Sequence, residues 1–542
     1  MQKKTEYVKV ASYEGRKGEV KKVVLLYSGG LDTSVMLKWI KEEYNAEVIA
    51  LTIDIGQQAD DLEEIRQKAV NLGAIKAIVI DAKDEFANEY IAKGIKANAS
   101  YQGHYHLSTP IGRPLLAKWA VKIAAAEGAD TIAHGCTGKG NDQVRIEGTA
   151  LALNPDVKII APVREWGMGR DEELLYAKKH NIPVKQTAAK PYSYDDNMWG
   201  VTGEGGEIEN PGLVPPLKEI LSVCVVPEEA PDKPEVITLE FVKGLPVAVN
   251  GKQMKLVDLI FHLNGVGAKH GVGVTHHIED RVVGLKVRGL YEAPAAEIII
   301  ESHRNLEKYV STRMENEFKT EIDTKWAYTC YAGLWYEPFM DNLNAYIERQ
   351  NEKVSGKVTV RLYKGRAEAV AVETPNTIFE EKLATFNASK AFNQNASAGF
   401  IELFTLQMRL AQRGEKTALL SIGSRKNKMK LLSTIKKLYE MGYKLYGTYK
   451  THKFLLANDM EAILVNKVSQ PHKQPNLKDM LEVNRFDLII NIPTTEKDEN
   501  SDKEITDGQF IRQMAVKNNA KMVTSVEVAK EFIEKLKSHK VK

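Results

Sequence analysis

The chain has 542 residues, 43% of them hydrophobic and 27% charged, a globular composition with room for about three or four domains of roughly 150 residues. No apolar run approaches the roughly 20 residues of a bilayer span, residues 1–20 lack the apolar core of a secretory signal, and the three cysteines, Cys136, Cys224 and Cys330, are odd in number and far apart. A disulfide framework, a close-spaced zinc cluster and a membrane role are thereby excluded, and a reducing, cytoplasmic setting is expected. The net charge of +3 conceals an asymmetry: beyond residue 413 there are 24 Lys and Arg against 16 Asp and Glu, and before it 51 against 56. The basic C-terminal part suits an anionic ligand or a solvated lysine surface, and the acidic remainder suits no nucleic acid.

From Lys22 onward short apolar runs alternate with helical periodicity. Val23–Tyr27, Val48–Ile53 and Ala77–Ile80 predict strands, separated by helices over Thr33–Glu43 and Leu62–Leu72; further strands follow at Thr131–His134 and Lys158–Ala161. Strands alternating with helices predict an α/β domain whose parallel sheet is covered on both faces and binds ligands beyond its carboxyl ends.

At the first such end lies Ser28-Gly29-Gly30-Leu31-Asp32-Thr33-Ser34. Gly29 and Gly30 allow the backbone to approach a phosphate, and the hydroxyls of Ser28, Thr33 and Ser34 join the helix-start amides as donors. The loop has no lysine of the GxxxxGK[ST] type. A plain helix cap built on Asp32 or Thr33 is the structural alternative. At the fourth strand end, His134-Gly135-Cys136-Thr137-Gly138-Lys139-Gly140-Asn141-Asp142-Gln143-Val144-Arg145 offers a mixed set of donors and acceptors. Arg145 is suited to a bidentate carboxylate grip and Asp142 to an ammonium group. The pairs His104/His106 and His276-His277 lack a third acidic or cysteine partner at ligand spacing, so no metal site is expected.

The Ser28–Ser34 loop resembles the pyrophosphate loop (PP-loop) of ATP pyrophosphatases, which cleave ATP between its α- and β-phosphates. The second motif, with Tyr105 to Pro114 (YHLSTPIGRP), Lys190 to Asn197 (KPYSYDDN), Lys269 to Gly273, Glu279-Asp280-Arg281 and Arg288 to Glu292, is similar to the argininosuccinate synthase family over residues 22–410. That resemblance implies ATP as substrate with Mg²⁺, contacting Leu26, Tyr27, Ser28, Gly29, Gly30, Leu31, Asp32, Thr33, Ser34, Ile53 and Gly135. It implies citrulline contacts from Tyr105, Asn141, Arg145, Ser193, Thr202, Glu279 and Tyr291, and aspartate contacts from Thr109, Thr137, Asn141 and Asp142. Asp142 and Asp32 are the expected catalytic residues, with Asp142 either a base or an orienter. Two positions depart from the family: Pro110 replaces a citrulline-contacting serine, and Thr202 replaces another while keeping the hydroxyl.

After the polar segment 228–236 the pattern turns to strands, Val236–Phe241, Val247–Asn250 with a hairpin signal at Asn250-Gly251, and Val358–Tyr363 turning near Lys364-Gly365. The helix expected at Ala398–Gln412 carries a broad apolar band of Ile401, Leu403, Phe404, Leu406, Met408 and Leu410; the family resemblance makes it the arm of a homotetramer.

Beyond Gly414 the chain reads as another α/β unit, with strands at Thr417–Ile422, Lys444–Tyr446, Ala462–Asn466 and Asp487–Ile492 and a helix at Lys428–Met441. It resembles the methylglyoxal-synthase-like fold, which implies a small anionic effector whose phosphate sits among Lys428, Thr448, Thr451 and Lys467. Lys450 stands where that family has glycine. The expected plan is an extension (1–21), a PP-loop domain (22–185), an α+β synthetase and multimerisation domain ending in a helical arm (186–413), and a regulatory module (414–542). A structural or second catalytic role for that module, another adenylating PP-loop enzyme, and a non-catalytic nucleotide-binding regulator are the alternatives.

Overall fold

The computed structural model describes residues 7–58, 61–183, 191–385, 391–411, 416–470, 472–483, 486–493 and 501–539, without side chains at 501–506 and 537–539. The expected boundaries at 185/186 and 413/414, together with Lys190 and Gln412, lie outside these residues. Contacts divide the chain into two compact units, Met1–Ala384 and Thr385–Lys542.

In the first unit, β1 (Lys22–Leu26), β2 (Glu47–Asp54), β3 (Lys76–Asp81), β4 (Thr131–Ala133) and β5 (Lys158–Ile160) form a parallel sheet in the order β3-β2-β1-β4-β5. Alternation decides its layering: Val24, Ile49 and Leu51 enter one core, while Val23, Leu25, Val48 and Ala50 enter the core on the opposite face. The strand order reverses between β1 and β4, and at such a switch point the two following loops diverge and leave a crevice. Both glycine-rich motifs flank this one.

The same unit contains two antiparallel sheets. One is formed by β6 (Tyr192–Asn197), β7 (Gly200–Gly205), β11 (Val274–Asp280) and β12 (Lys286–Glu292), in the order β11-β12-β7-β6. The other contains β8 (Glu235–Val242), β9 (Leu245–Val249), β10 (Lys252–Gln253), β13 (Gly356–Tyr363) and β14 (Arg366–Glu373). The expected turns at Asn250-Gly251 and Lys364-Gly365 both occur with positive φ at each residue. A third two-residue turn at Lys243-Gly244 escaped the sequence reading, because lysine is a weak signal for positive φ.

The N-terminal segment belongs to this unit. Glu14 bridges Ile159 beside β5, and the Gly15 N–H donates to the Ile159 carbonyl at 2.9 Å. The Tyr13 hydroxyl is hydrogen-bonded to the buried Glu147, which also pairs with Arg164 at 2.7 Å and His134 at 3.0 Å. Arg164 in turn donates to Gln143 at 3.0 Å, and Gln143 holds the Gly138 and Gly140 carbonyls. A polar chain thus runs from the N-terminus to the second glycine-rich loop.

In the second unit, Asn395–Phe404 and Leu406–Ala411 are separate helices, where one was expected. They break at Thr405, whose hydroxyl donates to the Ile401 carbonyl at 2.7 Å. Neither helix has a buried residue, and Leu403 and Phe404 are 75% and 71% exposed. The rest of this unit is a second parallel sheet, β15 (Thr417–Ile422), β16 (Lys444–Thr448), β17 (Ala462–Val465), β18 (Leu488–Ile492) and β19 (Met522–Val523), in the order β17-β16-β15-β18-β19. The short β19 was not foreseen. No described helix is long and apolar enough to cross a membrane.

Tyr13→Phe removes one hydrogen bond from a buried carboxylate and is expected to cost about 1 kcal/mol of stability, measured as a lower denaturant midpoint. An unchanged midpoint would show that this bond does not anchor the N-terminal segment.

Candidate active site

A cavity of about 360 Å³ opens at the switch point. Tyr105 reaches it from the segment before the helix Ser108–Glu127 and Thr109 from that helix's first turn; Gly135, Thr137, Asn141, Asp142 and Arg145 come from the glycine-rich loop and the helix Asp142–Leu153. Ser193 and Thr202 enter from the β6–β7 hairpin, and Glu279 and Tyr291 from β11 and β12. The fold therefore gathers every residue expected at citrulline or aspartate into one enclosure. It adds Arg113, Asp195, Glu204 and Arg281, to which the sequence reading gave no role. Periodicity held the signal: Arg113 lies one helical turn beyond Thr109, and the other three lie two residues beyond Ser193, Thr202 and Glu279.

Four charges form a string across this cavity. Arg113 Nη2 donates to Asp142 Oδ2 at 2.8 Å and also to Asp195 Oδ2. Arg145 Nη1 donates to Asp142 Oδ1 at 2.8 Å. Burial alone would raise the Asp142 pKa, but the two guanidiniums outweigh it and hold the carboxyl well below its ordinary range. Asp195 goes the other way: burial, with the Asp142 charge, raises it against the pull of Arg113.

Arg145 corrects one expectation. Its Nε donates to the Tyr331 carbonyl at 2.9 Å and its guanidinium lies 4.8 Å from the Tyr331 ring centre. Only Nη2 remains, buried and without a described hydrogen-bond partner, so it offers a carboxylate a single free nitrogen instead of a two-nitrogen fork. Tyr331, also unforeseen, donates to Glu279 Oε2 at 2.9 Å and accepts from Asn141 at 2.8 Å. Tyr105 stacks on Tyr291 with ring centres 4.0 Å apart. Pro110 lies in the first turn of its helix, where the missing N–H has no intrahelical acceptor to lose.

A second cavity of about 270 Å³ adjoins the nucleotide motif, lined by Leu26, Tyr27, Ser28 and Ile53 with Gln57, Gln58 and Asp196. Strand alternation puts Asp195 in one cavity and its neighbour Asp196 in the other, so β6 contributes to both. Gly29 takes φ +80°, and a Cβ there would come within 2.9 Å of Ile65. Ser28 and Thr33 hold their hydroxyls 3.2 Å apart at the surface of the loop. The buried Ser34 hydroxyl instead donates to the Gly30 carbonyl at 2.6 Å and lies 3.2 Å from the Tyr27 hydroxyl; it shapes the loop instead of presenting a donor to a phosphate. Leu31 is buried as well. Asp32 is exposed and hydrogen-bonded to Glu173, whose burial and carboxylate neighbour push its pKa up to about 8.

In the second unit a separate cavity of about 230 Å³ lies at the carboxyl ends of β15, β16 and β18. Thr448 and Lys467 line it, but Lys428 and Thr451 do not. Thr451 is fully buried and its hydroxyl is engaged by the Ile422 backbone, at 3.1 Å from the N–H and 3.3 Å from the carbonyl; Lys428 is buried too. Lys450, Asn491 and Arg512 also line it, with Asp507, which lies 3.9 Å from Lys467. Among the described residues no group of three or more His, Cys, Asp or Glu is placed to hold a metal ion, and His106 is engaged by Glu297 at 2.7 Å.

A parallel nucleotide fold with a glycine-rich loop after β1 and a mixed-charge cavity beside it is the arrangement expected from the resemblance to ATP-dependent adenylating PP-loop enzymes. Residues 22–183 match the model of the arginosuccinate synthase N-terminal HUP domain, 192–411 that of the arginosuccinate synthase C-terminal domain, and 430–524 that of the MGS-like domain. The argininosuccinate synthase of Pyrococcus furiosus is 50% identical over 72% of this chain and 94% of its own length; that of Oceanobacillus iheyensis is 48% identical over 71% and 92%. A U34-tRNA thiolase from Methanococcus maripaludis, 22% identical over 33% of this chain and 63% of its own, aligns with a TM-score of only 0.22. The chain belongs to the argininosuccinate synthase family and carries an additional MGS-like domain.

Because folded Glu173 holds a proton that the unfolded chain releases, native stability falls as pH rises from the ordinary carboxylate range toward about 8. Glu173→Gln is expected to flatten that fall, seen as melting temperatures that converge with or overtake the wild type toward high pH. Parallel curves would contradict a proton held on Glu173 in the folded chain.

Proposed function

We infer that this chain joins citrulline to aspartate at the expense of ATP. The ureido oxygen of citrulline attacks the α-phosphorus, releasing diphosphate and leaving citrullyl-AMP; the aspartate amine then displaces AMP to give argininosuccinate. The observation that carries this reading is the single cavity in which four distant chain segments place carboxylates, guanidiniums and hydroxyls beside the nucleotide motif. Three substrates held at one sheet edge lose orientational freedom before reaction, worth several kcal/mol of barrier.

In this reading ATP enters as its Mg²⁺ complex, with its adenine beside Ile53 and Leu26 and its phosphates over the exposed hydroxyls of Ser28 and Thr33. Asp32 is the carboxylate nearest the metal-bearing end. Tyr105, Ser193, Thr202, Glu279 and Tyr291 face citrulline, and Thr109, Thr137, Asn141 and Asp142 face aspartate. An Asp142 kept ionised by two guanidiniums is suited to orient the ammonium electrostatically and is a poor proton acceptor. The enzyme works in the cytoplasm, in keeping with three thiols free of disulfides.

Two further assignments go with this reading. The exposed apolar run from Phe400 to Leu410 supports its role as the arm of a homotetramer, and sedimentation of a monomer at assay concentration would refute it. The cavity bearing Lys450, Lys467 and Arg512 supports an anionic effector at the MGS-like domain. Arg512→Ala is expected to weaken by at least about threefold any thermal shift produced by a phosphate ester; no shift in the wild type with any ester tried would defeat the sensor assignment.

The deciding assay measures AMP and diphosphate release with ATP, Mg²⁺, citrulline and aspartate, omitting each amino acid in turn. Release that needs both supports the ligase, whereas ATP binding without release supports a regulator. Asp142→Asn is expected to reduce turnover about 100-fold or more with ATP affinity unchanged, and unaltered turnover would sink its assignment.

A further inference from the structure

We propose that Asp195 is the proton acceptor for the incoming amine, and that Asp142 orients that amine without taking its proton. The proposal rests on the ligase reading above and assigns a catalytic residue that the family resemblance did not supply.

Register fixes the placement. Asp195 pairs across the β6–β7 hairpin with Thr202 and shares a strand face with Ser193; both neighbours are citrulline-side groups. Thr109 Oγ1 donates to Asp195 Oδ2 at 2.8 Å, and Arg113 ties the same oxygen to Asp142; both of these are aspartate-side. Asp195 therefore stands where the two sets converge, which is where an amine must meet the activated ureido carbon.

The two carboxylates differ in what they have left to give. Asp142 has both oxygens engaged, Oδ1 by Arg145 and Oδ2 by Arg113. Asp195 receives both of its described hydrogen bonds on Oδ2, so Oδ1 retains its lone pairs for a proton. A carboxylate clamped by two guanidiniums is a weak base, while one raised by burial and a like charge is a better one. Burial, Arg113 and Thr109 from the helix, and Asp142 at the glycine-rich loop set the Asp195 titration; Arg145 and Cys136 around that loop and Glu204 and Arg281 across the cavity face the same space.

In the step, the aspartate ammonium transfers one proton to Asp195 Oδ1. The freed nitrogen pair forms the C–N bond to the ureido carbon of citrullyl-AMP. The C–O bond to AMP breaks with its electron pair on the phosphate oxygen, which takes a second amine proton; the third stays on the product guanidinium. Asp195 then returns its proton to solvent.

Three readouts on the full-length chain test this: citrulline-dependent exchange of diphosphate into ATP without aspartate, AMP release with aspartate, and AMP release with hydroxylamine, a nucleophile already neutral near pH 7. Asp195→Asn is expected to lower the ratio of aspartate-dependent turnover to exchange about 100-fold, chiefly in kcat, while hydroxylamine still discharges the intermediate. The wild-type ligation rate should rise with pH through an ionisation above the usual carboxylate range, and that acid limb should vanish in Asp195→Asn and return in Asp195→Glu. If exchange, ligation and hydroxylamine release fall together, Asp195 only holds Arg113 and the proposal is overturned. It is equally overturned if the acid limb persists in Asp195→Asn. A wild type without citrulline-dependent exchange would instead bring down the ligase reading on which the proposal rests.

Discussion

Arg113 Nη2 serves two carboxylates, Asp142 and Asp195, while Arg145 holds Asp142 from its other side. This shared guanidinium joins the helix Ser108–Glu127, the helix Asp142–Leu153 and β6, which belong to different layers of the first unit. Arg145 is buried and Arg113 nearly so, and both tolerate this because the partly exposed carboxylates lie beside them. Removing one would leave the rest uncompensated, so the cavity's shape and its ionisation states depend on the same contacts. The outcome is asymmetric: one carboxylate stays ionised, and the other can exchange a proton.

The parallel sheet makes that arrangement possible. Its order reverses between β1 and β4, so the loops that follow them part and leave room at the strand ends. β6 contributes to both cavities there, because its alternate residues face opposite ways, and the helix Ser108–Glu127 also lines both. With Asp195 on one side and Asp196 on the other, this strand gives each cavity its own carboxylate. The N-terminal segment reaches the same region through Tyr13, Glu147, Arg164 and Gln143, so a part of the chain with no substrate-facing residue still bears on the glycine-rich loop.

The second unit repeats the architectural rule with different chemistry. Its cavity again lies at the carboxyl ends of parallel strands, but three cations, Lys450, Lys467 and Arg512, line it against one carboxylate, Asp507, which lies 3.9 Å from Lys467. The lysine that replaces the family's glycine is itself part of that lining. The family resemblance grouped Thr451 and Lys428 with Thr448 and Lys467, yet helix phase and packing turn the first two into the core.

Residue types and their spacing alone determined a good deal: the alternation of strand and helix, the loops at the ends of β1 and β4, and the hairpins at Asn250-Gly251 and Lys364-Gly365; the resemblance carried by the motifs added eleven of the residues that line the larger cavity. These are local properties, set by backbone preferences and by short motifs whose chemistry is legible without neighbours. Partnership was not legible. Only the tertiary structure decided that Arg145 spends two of its donors on Tyr331 and Asp142, that the Ser34 hydroxyl turns inward, that the band from Ile401 to Leu410 is split at Thr405 and lies exposed, and that Asp142 and Asp195 diverge in acidity. Each of those outcomes depends on which distant atoms come within about 3 Å and on how much water they exclude, and linear spacing carries no record of either.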